Sequence, residues 1–324
     1  MGPNLDSLKK PRYFPIEKGV YEVAPGLKPL GTDFGNGALD AKIFQIDSDF
    51  VKYRSNKMEA RAENLSKYFL TSNLEQNLEN HFCLWAGKQL SLEYPEIFSW
   101  RISGRKWQLN CQHTHEILEF NENGKFLSTA AYTSGFDAIA CQVQEDLALQ
   151  QLGSDASNWL SALHVCSPAH WSPGDKIGKD FTKVHSPVPG IQKINSSAKS
   201  FAEAMVKKGP FVRFVWGFAT DDRLNHHPVA PPGANPTLWS GRKFNDPKES
   251  KFFLRLERQV TWGFPELMAS FFTIRVSFIP GDEIKANPRE KELLVSALRG
   301  IHPDSLKYKG LHGSVGPLIE WLET

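Results

Sequence analysis

His185 is the residue of this sequence best suited to hold a metal. It lies in Val184-His185-Ser186-Pro187-Val188-Pro189-Gly190, where two downstream prolines fix φ and disfavour helix in the residues before them. The imidazole is therefore expected to project from a stiff, extended backbone, so that coordination costs little conformational freedom. A histidine that merely caps a turn is the competing reading. Upstream runs His164-Val-Cys-Ser-Pro-Ala-His170-Trp171-Ser-Pro-Gly-Asp-Lys176-Ile-Gly178, dense in turn formers and aromatics. A second group is Arg213, within the apolar run Phe211–Phe218. A charge on such a strand is costly unless a carboxylate or an anionic ligand meets it. Alternation places Arg213, Val215 and Gly217 on one face and Phe214, Trp216 and Phe218 on the other.

The third group is Leu254-Arg255-Leu256-Glu257-Arg258-Gln259-Val260. On a strand, Arg255, Glu257 and Gln259 share one face, while Leu256, Arg258 and Val260 share the other. A row of guanidinium, carboxylate and amide supplies donors and an acceptor for a polar substrate or an oxygen ligand. An exposed sheet face with self-paired charges reads equally well. Two weaker histidine pairs stand outside these groups. His113-Thr-His115 would share a face on a strand edge but has no suitably spaced third ligand, and His226-His227 reads as a polar loop dipeptide.

The elements that must position these residues are legible in part. Asp47–Leu70 and Leu74–Leu92 show helical spacing, with Asp47 or Ser48 a candidate N-cap. Trp100–Ile102, Trp107–Leu109 and His115–Phe120 are short β-rich runs with a turn at Asn123-Gly124, and Leu127–Tyr132 follows as a further run. Phe136–Leu152 is expected to be helical and to end at Gly153. Ser196–Lys208 is a helix closed by Gly209-Pro210, and Phe211–Phe218 a strand. A polar loop with lid character spans Asp221–Asp246. Phe252–Val260 and Ala269–Phe278 form a hairpin-like pair, and Pro288–Arg299 and Val315–Leu322 are terminal helices. This order predicts an α+β fold around an antiparallel sheet. It divides into an extended arm over residues 1–46 and one domain over 47–324.

Composition narrows the function classes. The 324 residues carry a net charge of +2, which argues against nucleic-acid or membrane-surface binding by bulk electrostatics. The 22 Phe and 9 Trp suit a large flat ligand as well as a core. Cys83, Cys111, Cys141 and Cys166 form no C-x-x-C pair, so neither an iron–sulfur cluster nor a zinc ribbon is expected, and they read as reduced thiols. With no signal-peptide pattern and no apolar run of spanning length, a cytoplasmic location is expected. No nucleophile elbow, HExxH or nucleotide-binding glycine motif appears.

Taken together, the segments resemble the heme-dependent oxidative N-demethylase family (dimethylamine monooxygenase, heme subunit). The resemblance rests on PGLKPLG at residues 25–31, Gln144-Glu145-Asp146-Leu147, CSPAHW-SPGDKIG, VHSPVPG, RFVWGFATDDRLNHHP, RLERQV and SFFTIRV, in the family's order over roughly residues 11 to 280. It implies a PAS-like fold, heme b with a histidine ligand, and oxidation of a small secondary amine such as dimethylamine by O2. Electrons would come from a separate flavin and iron–sulfur NADPH reductase, and formaldehyde would pass to a tetrahydrofolate-binding subunit. By motif, His185 is the axial ligand and metal-binding residue. Arg213, Arg255, Glu257 and Gln259 are the catalytic candidates, and Lys176, Trp216 and Arg258 are further cofactor-binding candidates. Val215 and Gly217 depart from the family's Asn and Ser, and VTWGFPE replaces a basic segment, so substrate identity is the property most open to change. A heme-binding gas or redox sensor and a non-catalytic PAS-like binding protein are the alternatives.

Overall fold

A computed structural model of the chain describes residues 5–127, 131–155, 157–242, 244 and 251–324. Its helices are α1 (Phe50–Tyr68), α2 (Gln76–Glu93), α3 (Gly135–Ala140), α4 (Phe181–His185), α5 (Gln192–Asn195), α6 (Ala198–Lys207), α7 (Pro236–Trp239), α8 (Gly281–Ala286), α9 (Pro288–Arg299), α10 (Pro303–Tyr308) and α11 (Val315–Glu323). Its strands are β1 (Lys28–Pro29), β2 (Phe69–Thr71), β3 (Phe98–Ser103), β4 (Lys106–Cys111), β5 (Glu116–Asn121), β6 (Asp146–Leu152), β7 (Asn158–His164), β8 (Phe211–Ala219), β9 (Phe253–Phe264) and β10 (Ala269–Pro280). The strands form a seven-stranded sheet, β1-β8-β9-β10-β6-β7-β2, and a three-stranded sheet, β3-β4-β5. Every pairing within them is antiparallel, and the fold is α+β.

The β9–β10 hairpin is the spine of the large sheet. It stays in register from Phe264↔Ala269 to Phe253↔Pro280, and its turn closes with Met268 in the left-handed region. One face of the sheet buries Val212, Leu147, Leu149, Val260 and Phe271 against α2, α3 and the small sheet. The same face, nearer the other end, buries Phe218, Leu254, Leu256 and Ile279 against Tyr13 and Ile16 of the N-terminal arm and helices α8, α9 and α11. This closed face holds the two main cores. The opposite face carries the site.

Three expectations change. Only Gly135–Ala140 of the expected 136–152 helix is helical, and Asp146–Leu152 is a strand between β10 and β7. Apolar residues in DLALQQL fit both a 2-residue and a helical period, and pairing on both sides selects the strand. Gly153 is then no helix cap; its N–H donates to the Ser157 carbonyl. His185 ends helix α4 rather than projecting from a stiff, extended backbone. Asp180 caps that helix by accepting from Lys183 N at 2.8 Å, and Ser186 is still helical at φ −53°, so the prolines only stop the helix. His113 and His115 lie in the turn between β4 and β5, with His115 at φ 56°, not on a strand edge. Of the run expected at 127–132, residues 128–130 lie outside the described residues, as do 243, 245 and 246 of the polar loop. All four cysteines are free and buried. Among the described residues no helix is long and apolar enough to cross a membrane.

Candidate functional site

Register assembles the site. Arg213, Val215 and Gly217 of β8 lie opposite Gln259, Glu257 and Arg255 of β9. These lie opposite Ile274, Val276 and Phe278 of β10. Directly paired residues share a face, so the three rows form one continuous floor, extended onto β6 by Asp146 and Ala148. Both ends of this floor are covered. At one end α6 packs so closely that a Cβ on Gly263 would lie 2.0 Å from the Val206 carbonyl oxygen. At the other, Tyr53 of α1 and Leu224 pack with Val276, flanked by Ile274 and Phe278.

Between the two covers the floor stays open. Glu257, Gln259, Phe272 and Ile274 are only half-buried, although β9 and β10 are interior strands. Nothing stands within 4 Å of the Cβ that Gly217 lacks. On the β6–β7 side Leu160, Trp171, Ile177 and Phe272 pack together over Ala148, Leu163 and Val165. The cleft thus has an apolar wall on the β6–β7 side and polar groups at fixed points along its floor, as expected of a cofactor site.

His185 enters from α4, which leans on α6 through the Phe181–Phe201 ring pair at 6.2 Å. Its Nδ1 lies 2.7 Å from the Phe181 carbonyl oxygen. A carbonyl only accepts, so Nδ1 carries the proton and Nε2 keeps its lone pair. No described residue hydrogen-bonds to Nε2. Burial first, then the neighbouring Arg213 and Lys176, pushes the imidazole down to about 4, so it is neutral near pH 7. Lys176 steadies the same helix by donating to the Val184 carbonyl at 2.7 Å and lying over the Trp171 ring at 5.2 Å. Burial lowers its ammonium below the ordinary lysine value.

Among the described residues Arg213 makes no hydrogen bond, and its buried Nε has no partner. Burial lowers its pKa, opposed by the field of Glu257. Glu257 is anchored at both oxygens: Oε1 accepts from Arg255 at 2.5 Å and Oε2 from Gln259 at 2.9 Å. Arg255 donates in turn to the Ser167 carbonyl at 2.6 Å. Ser167 N donates to Asp146 at 2.8 Å, so a chain of three residues fixes the carboxylate from beneath. The motif Gln144-Glu145-Asp146 is a buried hub. Gln144 and Glu145 accept from the backbone of Asp47 and Gln45, each at 2.7 Å. Burial raises Glu145 to about 7 and Asp146 to about 6.

The fold therefore brings His185, Lys176, Arg213, Arg255, Glu257 and Gln259 to one cleft. It carries Trp216 and Arg258 away from it. Arg258 points to the closed face and donates to the Lys42 carbonyl at 2.7 Å and the Asp40 carbonyl at 3.3 Å. Trp216 meets Tyr21 edge-on at 5.3 Å. Alternation along β8 and β9 already put both on the other side, and it outweighs their nearness in the motif. His226 and His227 stay in the loop, held by Asp221 at 2.9 Å and by Val229 N at 3.0 Å. A second set, Asp137, Cys141 and His164, has ligand atoms within 4.8 Å of one another. There Arg61 already pairs with Asp137, and His164 Nε2 donates to the same carboxylate at 3.1 Å, so the set reads as a structural ion pair. Sequence reading missed this set, and it also missed Arg242 and Lys309, which flank the cleft near Gly217; neither sits in a recognisable motif.

An α+β protein that presents a ligand-ready imidazole, an unpaired guanidinium and an anchored carboxylate across a cleft with an apolar wall fits the class of cofactor-dependent oxidoreductases. The chain belongs to the family described as haem-dependent oxidative N-demethylase, alpha subunit-like, whose model matches residues 37–317. That description makes heme its cofactor and implies further subunits. No curated protein matches the chain.

Proposed function

We propose that the cleft binds heme b, whose iron His185 Nε2 would hold, and that the chain demethylates a small secondary amine such as dimethylamine. The observation that carries this reading is the imidazole with its Nδ1 proton given to the Phe181 carbonyl, which leaves a neutral Nε2 at a cleft with an apolar wall. A partner on Nδ1 that fixes tautomer and ring orientation is the usual support of a metal-bound histidine. Arg213 and Lys176 supply unneutralised positive charge for a group that carries carboxylates. When bound, heme supplies the oxygen activation by which amine, O2, two electrons and two protons yield demethylated amine, formaldehyde and water. Glu257, immobilised by Arg255 and Gln259, attracts a cationic amine and orients it without reorganising. Tyr53 and α6 close the two ends of the floor and limit water there.

The electron source in this reading is a separate NADPH-linked flavin and iron–sulfur reductase, since the four cysteines form no C-x-x-C pair and all are buried. A tetrahydrofolate-binding subunit would take the formaldehyde. The PAS-like reading rests on the antiparallel sheet with its histidine presented from a helix above the open face. The test is the visible spectrum of purified protein supplied with heme, compared with His185→Ala and recorded with and without dimethylamine. A Soret band at roughly 400–430 nm for a histidine-ligated heme, shifted by the amine and altered in the variant, supports the reading. Wild-type protein that stays colourless with heme sinks it.

A further inference from the structure

At Gly217 the cleft reaches a corner where positive charge exceeds negative. Gly217 stands opposite Arg255 and leaves open space above itself. Lys309 arrives at the strand edge one residue earlier, its Nζ donating to the Trp216 carbonyl at 2.5 Å. The rings of Tyr21 and Trp216 lie 4.8 and 5.1 Å from that Nζ, which shields the charge but does not neutralise it. Arg242 packs onto the same turn: a Cβ on Gly310 would lie 2.6 Å from its Cδ. Among the described residues its one hydrogen bond is long, 3.5 Å from NH1 to the Tyr308 carbonyl.

Among the described residues neither Lys309 nor Arg242 is in an ion pair, and Arg255 has only Glu257, which it shares with Gln259. Of these three cations only Arg255 is ion-paired among the described residues; the nearby carboxylates Asp221 and Asp146 are held by Arg223 and His226 and by the backbone of Cys166 and Ser167. Lys309 is only 7% exposed and Arg255 4%, and charge taken from water without a counter-ion is costly. Among the described residues the buried Nε atoms of Arg242 and Arg255 have no hydrogen-bond partner, and neither does His170 Nε2. The groups act on one another. Burial first, with neighbouring cations adding to it, lowers Arg242 to about 10, Lys309 to about 8 and His170 to about 2.

We propose that this corner is a carboxylate-binding subsite of the cleft, with Arg242 and Lys309 as its recognition residues and Arg255 Nε as a third donor. The carboxylate has two possible sources: a heme propionate, or an acid group on the amine substrate itself, as in an N-methyl amino acid. Both sources rest on the heme reading above, whereas the subsite itself can be tested without heme. Gly217, where the family pattern has serine, leaves room for the larger, acid-bearing amine.

The experiment uses the full chain and Arg242→Gln, with Arg242→Lys retaining the charge. Apoprotein is titrated with heme and with heme dimethyl ester; heme-loaded protein is titrated with dimethylamine and with N-methylglycine by Soret shift. Arg242→Gln is expected to weaken the carboxylate-bearing ligand by about tenfold or more, the scale of one charge-assisted hydrogen bond. Arg242→Lys should restore most of the loss, and the ligand lacking the carboxylate should bind as before. Loss confined to heme, with the ester unaffected, assigns a propionate; loss confined to N-methylglycine assigns the substrate. Unchanged binding of both acids, or equal loss of the acid and its neutral counterpart, overturns the proposal. If wild-type protein takes up no heme, the heme reading fails, and thermal unfolding of apoprotein with N-methylglycine or acetate decides the subsite. Stabilisation of wild type but not of Arg242→Gln supports it, and none in either overturns it.

Discussion

The two faces of the large sheet treat charge in opposite ways. Arg258 and Arg275 stand opposite each other on the closed face, and the terminal nitrogens of both are engaged although each Nε is not. Arg258 donates to backbone carbonyls of the N-terminal arm, and Arg275 pairs with Asp47 at 2.7 Å and lies 3.8 Å from the Tyr53 ring. One register position away on the open face, Arg213 has neither an ion pair nor a hydrogen bond among the described residues. Apolar side chains follow the same division: Val260 and Phe271 are sealed, whereas Phe272 and Ile274 are half-exposed. Groups that hold a fold together find their partners within it. Groups left over at the centre of a sheet mark where a ligand completes the structure.

The contrast can be broken or sharpened by substitution. The largest effect expected is on cofactor uptake: His185→Ala should abolish or replace the axial ligation, seen as loss or displacement of the Soret band while far-UV circular dichroism is retained. Next in size is the pair of arginines. Arg258→Ala strands several buried carbonyls and should cost about 2–4 kcal/mol in urea unfolding. Arg213→Ala removes a half-buried charge that is unpaired among the described residues and should leave apoprotein stability within about 1 kcal/mol while weakening heme binding. Comparable stability losses for the two would erase the distinction between the faces.

Two glycines of the open face make a similar pair. Gly263→Ala places a Cβ against the Val206 carbonyl and should destabilise by about 1–3 kcal/mol through overpacking. Gly217→Ala meets open space and should change stability by less than about 0.5 kcal/mol, read from thermal melts. The smallest effect lies in pH dependence near neutrality. Because His185 in the folded chain is depressed to about 4, it stays neutral well below the ordinary imidazole value of about 6.5. Heme affinity should therefore hold nearly flat from pH 7 to about 5 and fall as the pH drops through about 4. The unfolded chain takes up that proton already near pH 6.5, so the same group makes apoprotein stability decline on acidification from there. A binding midpoint near 6.5 would show that the imidazole is not buried as described.

Much of this arrangement was legible because it depends on local pattern. The β9–β10 hairpin, β8, helices α1, α2, α6 and α9, and the shared face of Arg255, Glu257 and Gln259 all follow from period and turn residues. Where the pattern served two periods, as in Asp146–Leu152, pairing partners distant in sequence chose between them. The backbone around His185 is helical, against its local pattern, because the Asp180 cap, five residues upstream, outweighs the prolines that follow.

The sequence by itself determined which side chains share a strand face, and its motifs marked His185 and the RLERQ strand as the chemistry-bearing parts. It also contained the reason to set Trp216 and Arg258 apart, in plain alternation. Only the tertiary structure decided which arginines are satisfied, because partners such as the Lys42 carbonyl and Asp47 lie more than a hundred residues away from Arg258 and Arg275. It alone brought Arg242 and Lys309 to the corner beside Gly217. Local periodicity orients a side chain, whereas the cost of a buried charge depends on everything the folded chain places around it.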